Sequence, residues 1–430
     1  MLSLCPFFII ARYRRKLHKA YFKYITRVTR NRGKESYCFV WKKDSTMKYK
    51  LATGTVLMLL LASTSTTTLN ITPFKTTLTQ LVPENEGIMV SSNINGPVFQ
   101  KGMSYVSWPP NFDSANSNES LRLLSLTNTE CVALCIFWYQ ENITSAEIYP
   151  SYNTPSNSSV IQAINRSREL GMKVMLKPMV DPLDGNWRGL IPPSTEWFAS
   201  YTNFMNFWAE FSQEHEVDML CVGCEFNSND RQTASWENVT AAVRQRYSGP
   251  ITYAANWDDY QNVHWWDSLD YVGIDAYFSL TNKNNPTVEE LKAGWRPWVE
   301  EMASWQATLN KPIIFTEIGY RSADGTNEAP WNYSTPASLD LQEQVDCYNA
   351  TFQTFYNKNW FYGFYWWNWE TSPYAGGNSD TGYTPQNKPV QSLITSWYSR
   401  PAIPWMWITI AAVVIAIAIV ATYMLTRKKR

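Results

Sequence analysis

"KPIIFTEIGYRS", residues 311–322, is an apolar run that ends in a carboxylate, Glu317. Pro-Ile-Ile-Phe reads as a strand covered on both faces, the habit of a parallel sheet enclosed by helices. A charge at the end of such a strand is costly unless it is paired, protonated or placed in a solvated cleft, and a cleft would make it a site. Seven other runs have the same character: KGMSYVSW (101–108), CVALCIFWYQ (131–140), KVMLKPMVD (173–181), MLCVGCEFN (219–227), ITYAANW (251–257), YVGIDAYF (271–278) and GFYWWNWE (363–370). Between them lie amphipathic, helix-like stretches at 158–170, 195–214, 235–247, 288–309 and 338–357, several opened by capping Ser, Thr or Asn and one closed by Gly171. Eight strand-helix units over some 300 residues predict an α/β fold, a (β/α)8 TIM barrel spanning 98–400. A doubly wound open sheet is the lesser alternative, because no glycine-rich phosphate loop follows the first strand.

Outward from the barrel, composition is uneven. The chain has 430 residues with 37 basic and 37 acidic side chains, yet the first fifty hold 14 Lys/Arg against 2 Asp/Glu and the last four are Arg-Lys-Lys-Arg. The remainder therefore holds 19 basic against 35 acidic groups, which argues against a nucleic-acid partner. Residues 405–425, WMWITIAAVVIAIAIVATYML, carry no charge, are long enough to cross a bilayer and have Trp405, Trp407 and Tyr423 near their edges. With the basic tail 426–430 behind it, this reads as a single transmembrane helix with a cytosolic C-terminus. Met47-Lys-Tyr-Lys followed by LATGTVLMLLLAS reads as a signal peptide over 47–64. It is preceded by a basic extension or mistranslated leader, 1–46, and followed by a Ser/Thr/Asn-rich linker, 65–97. Eight Asn-X-Ser/Thr sequons, at Asn70, Asn118, Asn142, Asn157, Asn165, Asn238, Asn332 and Asn349, fit a translocated body. The expectation is a cell-surface protein whose barrel is extracellular and whose membrane contact is the C-terminal helix.

Seven cysteines do not make a disulfide framework. Cys131 and Cys135 are four apart on one strand, too far to pair. Cys221 and Cys224 should face opposite sides of another. With only three histidines in the chain and no cluster of them, the cysteines read as packing thiols, and no metal or organic cofactor is called for.

In a barrel of this kind the chemistry sits at the C-terminal ends of the strands. The polar candidates there are Trp108, Tyr139 and Gln140, Asp181, Glu225 and Asn227, Asn256 and Trp257, Asp275 and Tyr277, Glu317, and 366–370. Glu225 and Glu317 stand out, each ending an apolar run with no basic residue beside it. Strands four and seven lie nearly across the mouth from each other, so their carboxylates could flank one glycosidic bond, as a retaining glycosidase requires. The structural alternative is a salt bridge from each glutamate to a buried Arg or Lys.

The stretches FWYQ (137–140), LKPMVDPLDGNWRGLI (176–191), VGCEF (222–226), ITYAANWDDY (251–260), LDYVGIDAYF (269–278) and FTEIGYRSADG (315–325) together resemble glycoside hydrolase family 113, a family of retaining β-mannanases. The resemblance runs from Lys101 to about Ser399. It implies Glu225 as acid/base and Glu317 as nucleophile, acting on β-1,4-mannan or a related mannose-containing polysaccharide or oligosaccharide. Two positions depart from the pattern: Cys224 stands where most of the wider clan has Asn, and Met179 where relatives often have His.

The aromatic surplus, 21 Trp and 25 Tyr, suits a sugar site, since indole and phenol rings stack on the CH faces of pyranoses. Stacking candidates are Trp108, Trp138, Tyr139, Trp187, Trp257, Tyr277, Trp366, Trp367 and Trp369, with Arg188, Asn256, Asp181 and Asp275 as polar partners. Strand alternation in WWNWE should turn either Trp367 and Trp369 or Trp366 and Asn368 inward. Tyr277 is placed to touch the nucleophile and favour its charged form. Rival readings are another β-glycanase or an exo-acting β-mannosidase on the same barrel, and a catalytically silent glycan-binding adhesin. The adhesin has no need of both glutamates.

Overall fold

A computed structural model describes residues 98–400, together with the backbone of an antiparallel strand pair, Val28–Asn31 with Lys34–Tyr37. Apart from that pair, the basic extension 1–46, the signal peptide 47–64, the linker 65–97, the apolar segment 405–425 and the basic tail 426–430 lie outside the described residues. Among the described residues no helix is long and apolar enough to cross a membrane.

Residues 98–400 form a closed barrel of eight parallel strands: β1 Gln100–Val106, β2 Cys131–Gln140, β3 Lys173–Pro182, β4 Met219–Cys224, β5 Ile251–Asn256, β6 Tyr271–Asp275, β7 Ile313–Ile318 and β8 Phe361–Glu370. Each strand pairs with the next, and β8 closes on β1 from Gly363 opposite Gln100. The helices are α1 Ala115–Ser125, α2 Asn157–Glu169, α3 Thr195–Glu214, α4 Thr233–Arg244, α5 Val288–Leu309, α6 Leu341–Phe355 and α7 Pro389–Tyr398. Their starts are set by local chemistry: Ser114, Ser156 and Ser194 accept from N3 amides, Asp340 accepts from two, and Thr287 with Glu290 completes a capping box.

One of the eight expected strand-helix units differs. Between β5 and β6 there is no α-helix; two 3₁₀ turns, Tyr260–Asn262 and Trp266–Ser268, make the connection. Trp265 and Trp266, both buried, fill the space a helix would cover, with Trp265 stacked on Trp236 of α4 at 4.8 Å. Two aromatic side chains thus replace the apolar face of a helix.

Alternation sorts the strand residues into two cores. Val132, Leu134 and Ile136 of β2 join the layer beneath the helices, whereas Cys131, Ala133, Cys135, Phe137 and Tyr139 fill the barrel interior with Met175, Met179, Met219, Cys221, Cys224, Ala254, Ile314 and Tyr365. All five described cysteines are free and buried. Cys221 and Cys224 do not face opposite sides: both lie inside, because the β4–β5 register shifts between them.

Candidate active site

The mouth of the barrel is built around one buried ammonium. Lys177 sits on β3 in phase with Met175 and Met179, so its side chain enters the interior, where it is fully buried. Its Nζ donates to Glu317 Oε1 at 2.6 Å and lies 3.3 Å from each oxygen of Asp275. The Tyr277 hydroxyl donates to the other Glu317 oxygen, Oε2, at 2.8 Å. Both oxygens of Glu317 are therefore held, and its carboxylate is aimed rather than free to rotate.

Asp275 ends β6 with no exposure at all, accepting from Thr316 Oγ1 at 2.7 Å and from the Cys224 thiol at 3.3 Å. Burial, and then the Glu317 charge, push its pKa up to about 8 against the pull of Lys177. One ammonium cannot neutralise two carboxylates, and the shorter contact gives Lys177 to Glu317. Burial works to lower the Lys177 pKa, but the acids around it outweigh that and hold it well above its ordinary value.

Glu225 lies just past β4. The Trp187 indole N–H donates to its Oε2 at 3.3 Å, and Arg188 Nη1 is 3.6 Å from the same oxygen. Gly189 makes this possible: a Cβ there would come within 2.4 Å of the Trp187 ring, so only glycine lets the indole fold back over the loop. Arg188 is anchored from behind by Asp181, through Nε at 2.8 Å and Nη2 at 2.7 Å. Burial raises the Glu225 pKa; Arg188 opposes this and the Glu317 charge adds to it. The two glutamates are thus joined through Arg188, Cys224, Asp275 and Lys177, with Arg188 Nη1 3.2 Å from the Cys224 sulfur. Both do carry basic partners, but as members of one network at the mouth, not as two separate structural ion pairs.

The sequence candidates divide. Trp187, Arg188, Asp181, Tyr277, Glu225 and Glu317 converge by direct contact. Trp367 packs at the interior of the barrel. Trp108 is half exposed on the rim against Phe137, and Tyr139 is buried with its backbone bridged to Tyr149. Asn256 spends its Oδ1 on the Trp257 amide at 2.8 Å.

Four expectations are corrected. Trp138 has the outward phase of Val132, Leu134 and Ile136 and packs on Phe204, Phe207 and Trp208 of α3. Trp366 is fully buried, stacked at 3.9 Å on Tyr348 of α6. Trp369 is also buried under the helices, its indole donating to Ser120 of α1, because the β8–β1 register shifts between Trp366 and Trp369 and breaks the alternation. Asp275 lies beneath the carboxylates with no exposed surface, so it supports the site instead of touching a sugar.

Several site residues escaped the sequence reading. Lys177 had a signal: a charge in the middle of the apolar run KVMLKPMVD, in phase with Met175, Met179 and Asp181. Trp331, in the β7–α6 connection, had none. It is 45% exposed and stacks on Trp257 at 5.2 Å with rings 18° apart, leaving an aromatic platform at the rim. Tyr383, which packs on Tyr277 and donates to the Pro330 carbonyl, links that platform to Glu317.

Cys224, Asp275 and Glu317 bring three potential metal-ligand atoms within 4.8 Å of one another, but the positive charge among them is Lys177. A second acidic group, Asp324, Asp340 and Glu343, is largely engaged by the fold: Asp340 caps α6, and Glu343 accepts from Gly325 and Asn327.

The profile of Glycoside Hydrolase Family 113 matches residues 103–388. The chain belongs to glycoside hydrolase family 113. It is a glycoside hydrolase, and the strand-end carboxylates are where such an enzyme keeps its chemistry. Among solved structures, this family 113 chain is similar to a β-1,4-mannanase of the same family, with 26% identity and TM-score 0.65 over 71% of this chain and 100% of that one. It is equally similar to the β-mannanase AaManA from Alicyclobacillus acidocaldarius, with 27% identity and TM-score 0.64 over 70% of this chain and 97% of that one. No curated protein matches it. The two departures from the family pattern are both buried: Met179 fills the barrel interior and Cys224 points down to Asp275.

Proposed function

We propose that the enzyme is a retaining hydrolase of β-1,4-mannan or related mannose-containing glycans, with Glu317 as nucleophile and Glu225 as acid/base. The observation that carries the reading is the unequal treatment of the two carboxylates. Glu317 is pinned by an ammonium and a phenol, as a nucleophile must be, while burial raises the Glu225 pKa, as a proton donor requires. Glu317 attacks the anomeric carbon as the glycosidic C–O bond breaks, and Glu225 gives its proton to the departing oxygen. Glu225 then takes a proton from water as that water attacks the anomeric carbon and frees Glu317. The choice of mannan is supported by the β-mannanases among solved structures that the chain resembles.

The test combines substrates and variants. Residues 95–400 should release sugar from mannan or glucomannan in preference to galactan, xylan or cellulose; no release from any of them would favour the binder. Glu317→Gln should lose nearly all activity on every substrate. Glu225→Ala should still be glycosylated by an aryl glycoside with a good leaving group, then stall, and azide should restore turnover with a β-azide product. An α-azide, or rescue in the Glu317 variant, would reverse the roles or make the enzyme inverting.

The same proposal puts the catalytic domain outside the cell, between a cleaved signal peptide at 47–64 and a transmembrane anchor at 405–425. None of the seven sequon asparagines among the described residues is buried, which fits glycosylation of that surface. Protease added to intact cells should release the barrel and leave a tag after Arg430 protected; an accessible tag would reverse the orientation.

A further inference from the structure

Glu225 has a left-handed backbone, φ 54°, which a residue with a side chain keeps only where its surroundings enforce it. The enforcement comes from β5. The Glu225 amide donates to the Ala254 carbonyl at 2.8 Å, and the next amide, Phe226, donates to the Tyr253 hydroxyl at 2.9 Å. A phenol that accepts from an amide must send its own proton elsewhere, and Tyr253 donates to Asp230 Oδ1. Phe226, Tyr253 and Asp230 have no exposed surface. The other Asp230 oxygen receives no donor, and its neighbour is the Asp259 carboxylate. Burial first, with the charge of Asp259, holds the Asp230 pKa well above its ordinary value.

The ring of Tyr253 reaches this position because β4 makes room: a Cβ on Gly223 would meet it at 2.8 Å. Two indoles fix the turn that follows, Trp236 donating to the Asn229 carbonyl at 3.0 Å and Trp265 to that of Asp230 at 3.1 Å. We infer that Tyr253 and Asp230 are positioning residues: their hydroxyl–carboxyl relay holds the backbone at Glu225 and Phe226 so that the Glu225 carboxyl points at the leaving-group oxygen. Neither has an exposed surface from which to touch a sugar. The inference rests on Glu225 being the acid/base.

The test reads leaving-group dependence, which a general loss of stability would not alter. Rates are expressed per active site, counted by covalent labelling of Glu317 with a fluorosugar. Tyr253→Phe leaves the Phe226 amide without its acceptor, so kcat/KM on mannooligosaccharides should fall about ten- to a hundredfold, a part of the hundredfold or more that general acid catalysis supplies. On a dinitrophenyl mannoside, whose leaving group needs no proton, it should fall by less than about threefold. Asp230→Leu should repeat that split. Asp230→Asn should retain near wild-type rates on both, since its amide oxygen still accepts from Tyr253 and its NH₂ can donate to Asp259. Equal losses on the two substrates in Tyr253→Phe, or an Asp230→Asn enzyme as impaired as Asp230→Leu, would overturn the positioning role. Glu225→Ala is the reference: if it lacks the split itself, the acid/base assignment fails, and this inference fails with it.

Discussion

Arg188 serves two acids, with Asp181 holding it from behind and Glu225 in front. Because the guanidinium favours the charged form of Glu225, it works against the burial that raises that group's pKa. In the acid/base role proposed for Glu225 the group must be protonated, so on that proposal activity should fall as pH rises through this pKa. Arg188→Met removes the opposing charge, and the alkaline limb of kcat/KM should move to higher pH even as the maximum drops, whereas Arg188→Lys should move it less. A limb displaced to lower pH would show that Arg188 does not act on Glu225 in this way. The charge at Glu225 was legible in the sequence, as the end of an apolar run. Its partner was named only as a sugar-binding candidate, since nothing in GNWRG says that the loop folds back over β4.

Within a strand, alternation carried much of what was legible, and register shifts removed the rest. Trp138 follows Val132, Leu134 and Ile136 outward, a phase that could be read from CVALCIFWYQ alone. In β8 the shift between Trp366 and Trp369 sends both indoles under the helices and leaves Trp367 inside. In β7 the pairing with β6 skips between Phe315 and Glu317, so Glu317 turns inward although strict alternation would group it with the outward Phe315. Two tryptophans test this sorting. Trp366→Ala should cost about 3–5 kcal/mol of stability by opening a cavity, with KM unchanged in the folded enzyme. Trp331→Ala should leave the melting temperature nearly unchanged, yet raise KM for long oligosaccharides about two- to tenfold, the worth of one ring stack, with little effect on the shortest substrates. The reverse pattern would put Trp331 in the core and Trp366 at the substrate.

At the scale of the molecule, the raised pKa values of Asp275 and Glu225 mean that these two groups hold more protons in the folded state than in the unfolded chain above the ordinary carboxylate pKa. Stability from Asp275 is then present at low pH and is lost as pH rises from about 4 towards about 8, with a slope of at most about 1.4 kcal/mol per pH unit. Asp275→Asn, which mimics the protonated acid, should flatten the curve, so urea titrations at several pH values should show the wild type losing its advantage as pH rises. A wild type that gains on the variant with rising pH would refute the shift. The sequence by itself determined the barrel, since eight apolar runs separated by amphipathic stretches can bury both faces in few other ways, and it determined which strands end in carboxylates. Only the closed tertiary structure decided where those carboxylates point. Their direction depends on register shifts at Cys224, Glu317 and Trp369, and on donors such as Lys177, which reaches Asp275 and Glu317 on strands far away in the chain. No local pattern encodes such pairings, because they exist only once the eight strands share one ring of hydrogen bonds.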